Sequence, residues 1–108
     1  GMAPTDAENN VVNIISRNSI SVYPNPFNPE TNIALSITAQ DLEHPVSVGI
    51  YNIKGQLVKT LVDNEVVNNS TFIWNGTDNN ELNTSSGMYF VKMKTVSNFT
   101  AKKMILLK

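Results

Sequence analysis

Three pairs of closely spaced carboxylates are the residues of this sequence whose types are best suited to chemistry. Two acids that face each other across a cleft carry out the acid and base steps of glycoside hydrolysis. The pairs are Asp41 with Glu43, Asp63 with Glu65, and Asp78 with Glu81. A folded chain of only 108 residues offers little room for a cleft between two such acids, so we predict no glycosidase site.

The stretch DNNE at residues 78–81 is also a candidate calcium loop, because carboxylate and amide oxygens bind Ca²⁺. It lacks the regular Asp and Asn spacing and the bidentate Glu of an EF-hand loop. Asn and Asp side chains also favour turns by bonding to nearby backbone. The sequence therefore favours a turn here and not a metal site.

Histidine and cysteine are almost absent from the chain. His44 is the single histidine, it precedes Pro45 in a polar stretch, and the chain has no cysteine. A lone histidine forms neither a metal site nor a nucleophile and base arrangement. We predict an exposed His44 and a protein that is not an enzyme and binds no metal and no cofactor.

Charge and hydropathy limit the partners. The chain has 8 basic and 9 acidic residues, with 41% hydrophobic and 16% charged residues. Nucleic-acid binding requires a basic surface, and a membrane span requires a run of about 18 apolar residues. The sequence has no such run and is not basic. We predict a soluble domain with no nucleic-acid partner and no membrane span.

The two ends of the chain differ in character. Gly1 ahead of Met2 indicates a remnant of expression, and residues 1–10 are polar, so we predict a disordered tail there. Residues 11–108 fit one domain by length. No secretory signal peptide is recognisable, and we expect the chain to be a fragment of a longer protein.

Strand periodicity appears first in the N-terminal half. Apolar residues alternate with small or polar ones in two runs, which are Ile33, Leu35 and Ile37, and then Val46, Val48 and Ile50. Residues 51–56, YNIKGQ, read as a tight turn in which Gly55 supplies positive φ, and LVKTLVD returns as a paired strand. VVNII and ISVY upstream each predict a further strand.

The C-terminal half continues the pattern. Phe72 and Trp74 share one face of a short strand, and Tyr89 begins the apolar face of GMYFVKMKTV. We predict these three aromatic residues in the core. The runs GMYFVKMKTV and FTAKKMILLK are expected to pair after the long loop at residues 75–86. Seven or eight short strands of this kind predict an all-β antiparallel sandwich.

Four segments in order resemble a known family. They are YPNPFNPET, VGIYNIKGQLVKTL, IWNGTDNNELNTSSGMYFVKM and TAKKMILLK. Together they are similar to the C-terminal sorting domain of the type IX (Por) secretion system and to the FlgD-like Ig domain. The resemblance covers residues 20–108. The family usually has a glycine after Asp78, and we expect Asn80 to take up the left-handed conformation in its place.

The resemblance implies an Ig-like sandwich at the C-terminus of a larger exported bacterial protein. It implies a sorting signal or spacer at the cell surface or outside the cell, with the secretion machinery or neighbouring domains as partners. A structural interaction module like the flagellar hook-capping domain, with weak self-association, is the alternative. A carbohydrate-binding module that stacks sugars on Tyr23, Tyr51, Trp74 and Tyr89 is a third, less favoured one.

The segment VYPNPFNPE has two interpretations. Each proline fixes its own φ and biases the preceding residue toward extended backbone. The favoured interpretation is a rigid arm in which Phe27 plugs the open end of the sandwich and the prolines insulate the strand that follows. The other is a docking motif for a partner. Both concern the same residues, which are Pro24, Asn25, Pro26, Phe27, Asn28 and Pro29.

The last seven residues also leave two interpretations open. They are Lys102, Lys103, Met104, Ile105, Leu106, Leu107 and Lys108. Apolar residues on both faces predict a strand that is central in its sheet or partly exposed for a partner. The lysines protect a strand edge from pairing, or they are recognised by the export machinery that the resemblance implies.

Overall fold

Residues 17–108 are the part of the chain described in a computed structural model, and they form seven β-strands without a helix. The predicted all-β fold is confirmed with seven strands, and the predicted strand VVNII falls outside the described residues. No helix long and apolar enough to cross a membrane occurs between residues 17 and 108. The strands are β1 (Ser19–Tyr23), β2 (Thr31–Ser36), β3 (Val46–Asn52), β4 (Leu57–Glu65), β5 (Thr71–Trp74), β6 (Gly87–Lys94) and β7 (Phe99–Leu106).

The strands form two antiparallel sheets. The smaller sheet has the order β1-β2-β5, and the larger has the order β4-β3-β6-β7. Only β1-β2, β3-β4 and β6-β7 are neighbours in both sequence and space, whereas β2-β5 and β3-β6 pair across long connections. The predicted antiparallel sandwich is therefore confirmed, with β7 at one edge of the larger sheet.

The core lies between the two sheets and follows the alternation of the strands. β1 has the burial pattern exposed, buried, exposed, buried, exposed, and β2 buries every second residue. This is the pattern of strands with one face on the core and one in solvent. Side chains that are completely buried come from both sheets, and they include Ile33, Ile50, Val91, Met93, Met104 and Leu106.

An aromatic cluster closes one region of this core. Trp74 has 1% of its surface exposed, and its ring centroid lies 5.6 Å from that of Phe27 and 5.2 Å from that of Tyr89. The indole Nε1–H of Trp74 donates to the backbone oxygen of Thr77 at 2.9 Å, which satisfies its one polar atom. Phe72 lies two positions earlier on the same face but is only half-buried against the core.

The turn between β3 and β4 forms as the sequence predicts. Gly55 has φ 82°, and its N–H donates to the backbone oxygen of Asn52 at 3.0 Å. The Asn52 side chain accepts hydrogen bonds from the N–H groups of Lys54 and Gln56. Asn52 and Gly55 together therefore determine this reversal locally.

The long loop at residues 75–86 contradicts one detail of the prediction. Besides Gly76, the left-handed residue of the loop is Glu81, with φ 62°, and not Asn80. Asp78 Oδ1 accepts hydrogen bonds from the N–H groups of both Asn80 and Leu82, at 2.8 and 3.0 Å. The backbone must turn back between these two donors, so the positive φ falls on Glu81.

Candidate functional site

The proline arm, residues 24–29, lies along the outer edge of β7. The Phe27 N–H donates to the Ile105 oxygen at 2.9 Å, and the Leu107 N–H donates to the Phe27 oxygen at 2.9 Å. Asn25 adds two contacts, since its Nδ2 donates to the Lys103 oxygen and its Oδ1 accepts from the Ile105 N–H. These four hydrogen bonds satisfy the edge of β7 from Lys103 to Leu107.

The arm therefore protects a different strand from the one predicted. We expected the prolines to insulate the strand that follows them, but the edge they cover belongs to β7, almost eighty positions further along the chain. The side chain of Phe27 is 2% exposed and packs into the core beside Trp74. The arm thus joins the two sheets at this edge.

The C-terminal strand presents two different sides. Met104 and Leu106 are completely buried, and Ile105 is half-buried. The side chains that remain exposed are Lys102, Lys103, Leu107 and Lys108. The Lys108 N–H donates to Ser86 Oγ at 2.9 Å. The segment therefore anchors the core with two residues and offers mainly lysines to solvent.

A buried polar cluster lies under the turn between β6 and β7. Asn18 Nδ2 donates to Asp41 Oδ2 at 2.8 Å, and it also contacts Thr95 Oγ1 and Asn98 Oδ1. Ser97 Oγ donates to the same carboxylate oxygen of Asp41. Sequence reasoning missed this cluster because Asn18 lies 23 positions before Asp41 and 80 positions before Asn98, so no local signal joins these residues.

The cluster makes stability depend on acid pH. The hydrogen bond from Ser97, followed by that from Asn18, holds the pKa of Asp41 below its usual value of 3.8, although burial acts in the opposite direction. A carboxyl whose pKa is lowered by folding stabilises the protein above its unfolded pKa, and this contribution is lost as the pH falls through the folded pKa.

We expect Asp41→Asn to lower the urea midpoint near neutral pH, because a neutral amide oxygen accepts hydrogen bonds more weakly than a carboxylate oxygen does. The difference between variant and parent should shrink as the pH is lowered to about 3. Asp63→Asn, at an exposed carboxylate of β4, is the matched control and should change little. An Asp41→Asn midpoint that stays equally far below the parent at acid pH would contradict this account.

The other candidate chemical residues are dispersed. Glu81 forms an ion pair with Lys59 at 2.7 Å, and Asp78 is engaged in its turn. His44 is exposed. Within residues 17–108, no group of three or more His, Cys, Asp or Glu residues is placed to hold a metal ion.

The four aromatic residues of the sugar-stacking alternative do not form a platform. Trp74 and Tyr89 are buried, whereas Tyr23 is 77% exposed on the smaller sheet. The Tyr89 hydroxyl donates to the Ser85 oxygen at 2.6 Å. A shallow cleft of about 450 Å³ beside Tyr89 is lined by polar side chains, such as those of Asn52 and Ser85, and to a similar extent by apolar ones.

Comparison with solved structures shows the same fold in two larger proteins. One is PorZ, an essential bacterial surface component of the type-IX secretion system of the human oral-microbiomic Porphyromonas gingivalis. The match has a TM-score of 0.59 and 19% sequence identity, and it covers 82% of this chain and 11% of that chain. Another is dimeric latent PorU from Porphyromonas gingivalis, with a TM-score of 0.63 and 22% identity over 90% of this chain and 10% of that chain. The chain thus spans about a tenth of the length of either protein.

Comparison with protein families is more specific. No curated protein matches the chain. The family model of the secretion system C-terminal sorting domain matches residues 21–107. This match extends from within β1, through the proline arm, to one residue beyond β7. The chain therefore belongs to the family of secretion system C-terminal sorting domains.

Proposed function

We propose that this chain is the sorting signal of one larger secreted protein and that the export machinery recognises residues 102–108. The family match over residues 21–107 is the observation that carries the proposal. A domain of this family marks a secreted protein for export to the cell surface or the extracellular space. The domain itself carries a signal and does not catalyse a reaction.

The arrangement of β7 supports a role for its lysines. Lys102, Lys103 and Lys108 are exposed, and none of them forms an ion pair with another residue of the described part of the chain. Lysine side chains on an exposed strand are available to a partner and confer specificity through charge. The core residues Met104 and Leu106 hold Lys102 and Lys103 in a defined register.

The first experiment tests the whole signal. A periplasmic reporter enzyme carrying the 108-residue chain at its C-terminus is produced in a bacterium that has type IX secretion. We expect the reporter on the cell surface or in the medium, and in the periplasm when the chain is omitted. A folded fusion that remains in the periplasm would overturn the proposed function.

The second experiment tests the lysines. Removing residues 102–108 would open the core, because Met104 and Leu106 are completely buried, so point substitutions are needed. We expect Lys102→Gln with Lys108→Gln to reduce export about tenfold, because exposed charges at the edge of a contact surface control the rate at which a partner associates. Arg17→Gln with Lys54→Gln removes the same charge from exposed positions elsewhere and should leave export unchanged. Equal export of both double variants would argue against recognition at these two lysines.

Neighbouring domains of the parent protein are a second class of partner that we propose. Tyr23 and Ile73 are 77% and 63% exposed, and both are aligned with Asn32 in one row across the smaller sheet. Exposed apolar side chains in a row favour contact with another surface. A spacer role between domains is compatible with this contact.

A further inference from the structure

The charge of this protein is strongly segregated along the chain. The hairpin of β6 and β7 with the residues after it, 87–108, contains no acid and five lysines, which are Lys92, Lys94, Lys102, Lys103 and Lys108. All nine acidic residues lie before residue 87, together with only three basic residues. The net charge of −1 therefore combines +5 in the last 22 residues with −6 in the rest.

The pairing of the strands gathers part of this charge on one face. Tyr89, Val91 and Met93 are buried, so the residues between them point away from the core. On this outer face Lys94 is opposite Phe99, and Lys103 is opposite Phe90. Tyr51 of β3 continues the row that contains Phe90. We call the set Tyr51, Lys92, Lys94, Phe99 and Lys103 the lysine–aromatic face.

Aromatic rings and lysines alternate on this face. Lys92 Nζ lies 4.6 Å from the centroid of the Tyr51 ring and 6.0 Å from that of Phe99. Gly49 leaves space for Tyr51 and Leu57 to fold over the sheet, because a Cβ at Gly49 would lie 3.1 Å from an atom of each. A shallow groove of about 250 Å³ results, lined by Leu57, Tyr51, Phe99 and the neighbouring lysines.

The positive charge of this face is not neutralised from within residues 17–108. Lys92, Lys94 and Lys103 form no ion pair there, and Asp63 is the one acid that lines the groove. Lysines held close together repel one another, and an opposing negative surface relieves that repulsion. The face is therefore complementary to a partner that brings acidic groups to the rim and apolar groups to the groove.

The proline arm decides how a partner approaches β7. The backbone groups at the β7 edge from Lys103 to Leu107 are already bonded to Asn25 and Phe27. Addition of a partner strand to this part of the edge would require those bonds to break. A partner can contact the outward side chains of β6 and β7 without disturbing them.

We propose that the lysine–aromatic face is the docking surface for an acidic protein segment of the export machinery. This inference rests on the proposed sorting function and extends the recognised surface from Lys103, one of residues 102–108, across the outer face of the sheet to Lys92, Lys94, Phe99 and Tyr51. A protein segment fits better than an anionic bilayer, because the rings of Tyr51 and Phe99 line a groove that a chain segment can enter, and because an anionic bilayer surface repels the charge of −6 on the rest of the molecule. It fits better than a nucleic acid, because the rest of the molecule carries a charge of −6.

The first test reverses charge at two exposed positions of the face. Lys94→Glu with Lys103→Glu changes the net charge from −1 to −5, and Arg17→Glu with Lys54→Glu does the same at exposed positions that are not among the five residues of the face. We expect the first double variant to lower export of the reporter fusion at least about tenfold and the second to leave it unchanged. Lys94→Arg with Lys103→Arg should retain export.

The outcomes separate this inference from the proposed function. If the parent fusion is not exported, the proposed function fails. If it is exported, and export falls on Lys102→Gln with Lys108→Gln but not on Lys94→Glu with Lys103→Glu, the sorting function stands and the docking surface is wrong. Purified variants are compared by circular dichroism and thermal unfolding, so that a loss of folding is recognised. If Lys94→Glu with Lys103→Glu does not fold, the export of Lys94→Arg with Lys103→Arg decides whether the docking surface stands.

The second test uses defined probes with the purified chain. A synthetic peptide of alternating Glu and Leu should shift backbone amide signals of β6 and β7 around Lys94 and Lys103, and a tenfold rise in salt should abolish most of the shift. A matched peptide of Lys and Leu should cause none. Shifts spread over both sheets would overturn the proposal. Lysine-dependent binding to vesicles of anionic phospholipid, without binding of the acidic peptide, would assign the face to a membrane and overturn it as well.

Discussion

Replacing Trp74 with alanine is expected to lower the free energy of unfolding by about 3–5 kcal/mol. Trp74 is 1% exposed and lies between the rings of Phe27 and Tyr89, so the substitution leaves a cavity at the contact of three aromatic side chains. It also leaves the backbone oxygen of Thr77 without the indole donor. A loss of this size is a large fraction of the stability of a small domain.

Urea unfolding followed by circular dichroism measures this change. Ile73→Ala is the matched control, because Ile73 is the adjacent residue of β5 and is 63% exposed on the opposite face. The control should change the free energy by no more than about 0.5 kcal/mol. Similar losses for the two variants would mean that the two faces of β5 are assigned the wrong way round.

Replacing Phe27 with alanine is expected to have a comparable effect, again about 3–5 kcal/mol. Phe27 is 2% exposed, and it is the side chain that anchors the proline arm in the core. Its loss also weakens the backbone hydrogen bonds between the arm and β7, since nothing else in residues 26–28 is buried. The consequence is both a cavity and an open strand edge.

Hydrogen exchange distinguishes these two consequences. The amides of Ile105 and Leu107 donate to the arm, so both should exchange much faster in Phe27→Ala than the amides that join β6 to β7. Phe99→Ala, at a residue that is 61% exposed, controls for loss of a phenyl ring and should leave these amides protected. Protection of Ile105 and Leu107 at the parent level in Phe27→Ala would show that the arm does not depend on this anchor.

The arm also connects stability with sorting. An open edge strand pairs readily with other chains, and a secreted protein must cross to the cell exterior without such pairing. The arm closes the β7 edge at Lys103, Ile105 and Leu107 while their outward side chains stay accessible. Edge protection and recognition of the C-terminal strand are therefore compatible in one structure.

Local signals in the sequence were sufficient for the strands and the tightest turn. The alternation of Ile33, Leu35 and Ile37 predicted their burial, because neighbouring side chains of a strand point to opposite faces. Gly55 predicted the β3–β4 reversal, because glycine reaches positive φ without a steric penalty. The four family segments identified the sorting domain, and the family match confirmed it.

The aromatic residues show what periodicity leaves open. Periodicity placed Phe72 and Trp74 on one face, yet Trp74 is buried and Phe72 only half-buried. Periodicity assigns a side chain to a face, whereas the depth of burial depends on what lies opposite. Here Phe27 and Tyr89 cover Trp74 from distant parts of the chain.

Only the tertiary structure decided which distant segments meet. The arm at Asn25 and Phe27 bonds to β7, and Asn18 bonds to Asp41, Thr95 and Asn98, across separations of up to 80 residues. A proline-rich segment and isolated polar residues encode a local conformation but not a partner, because pairing over such distances depends on how the whole sandwich closes. The sequence by itself therefore determined the strands, their buried faces and the family, and the closure of the two sheets determined the covered edge, the buried polar cluster and the grouping of the lysines.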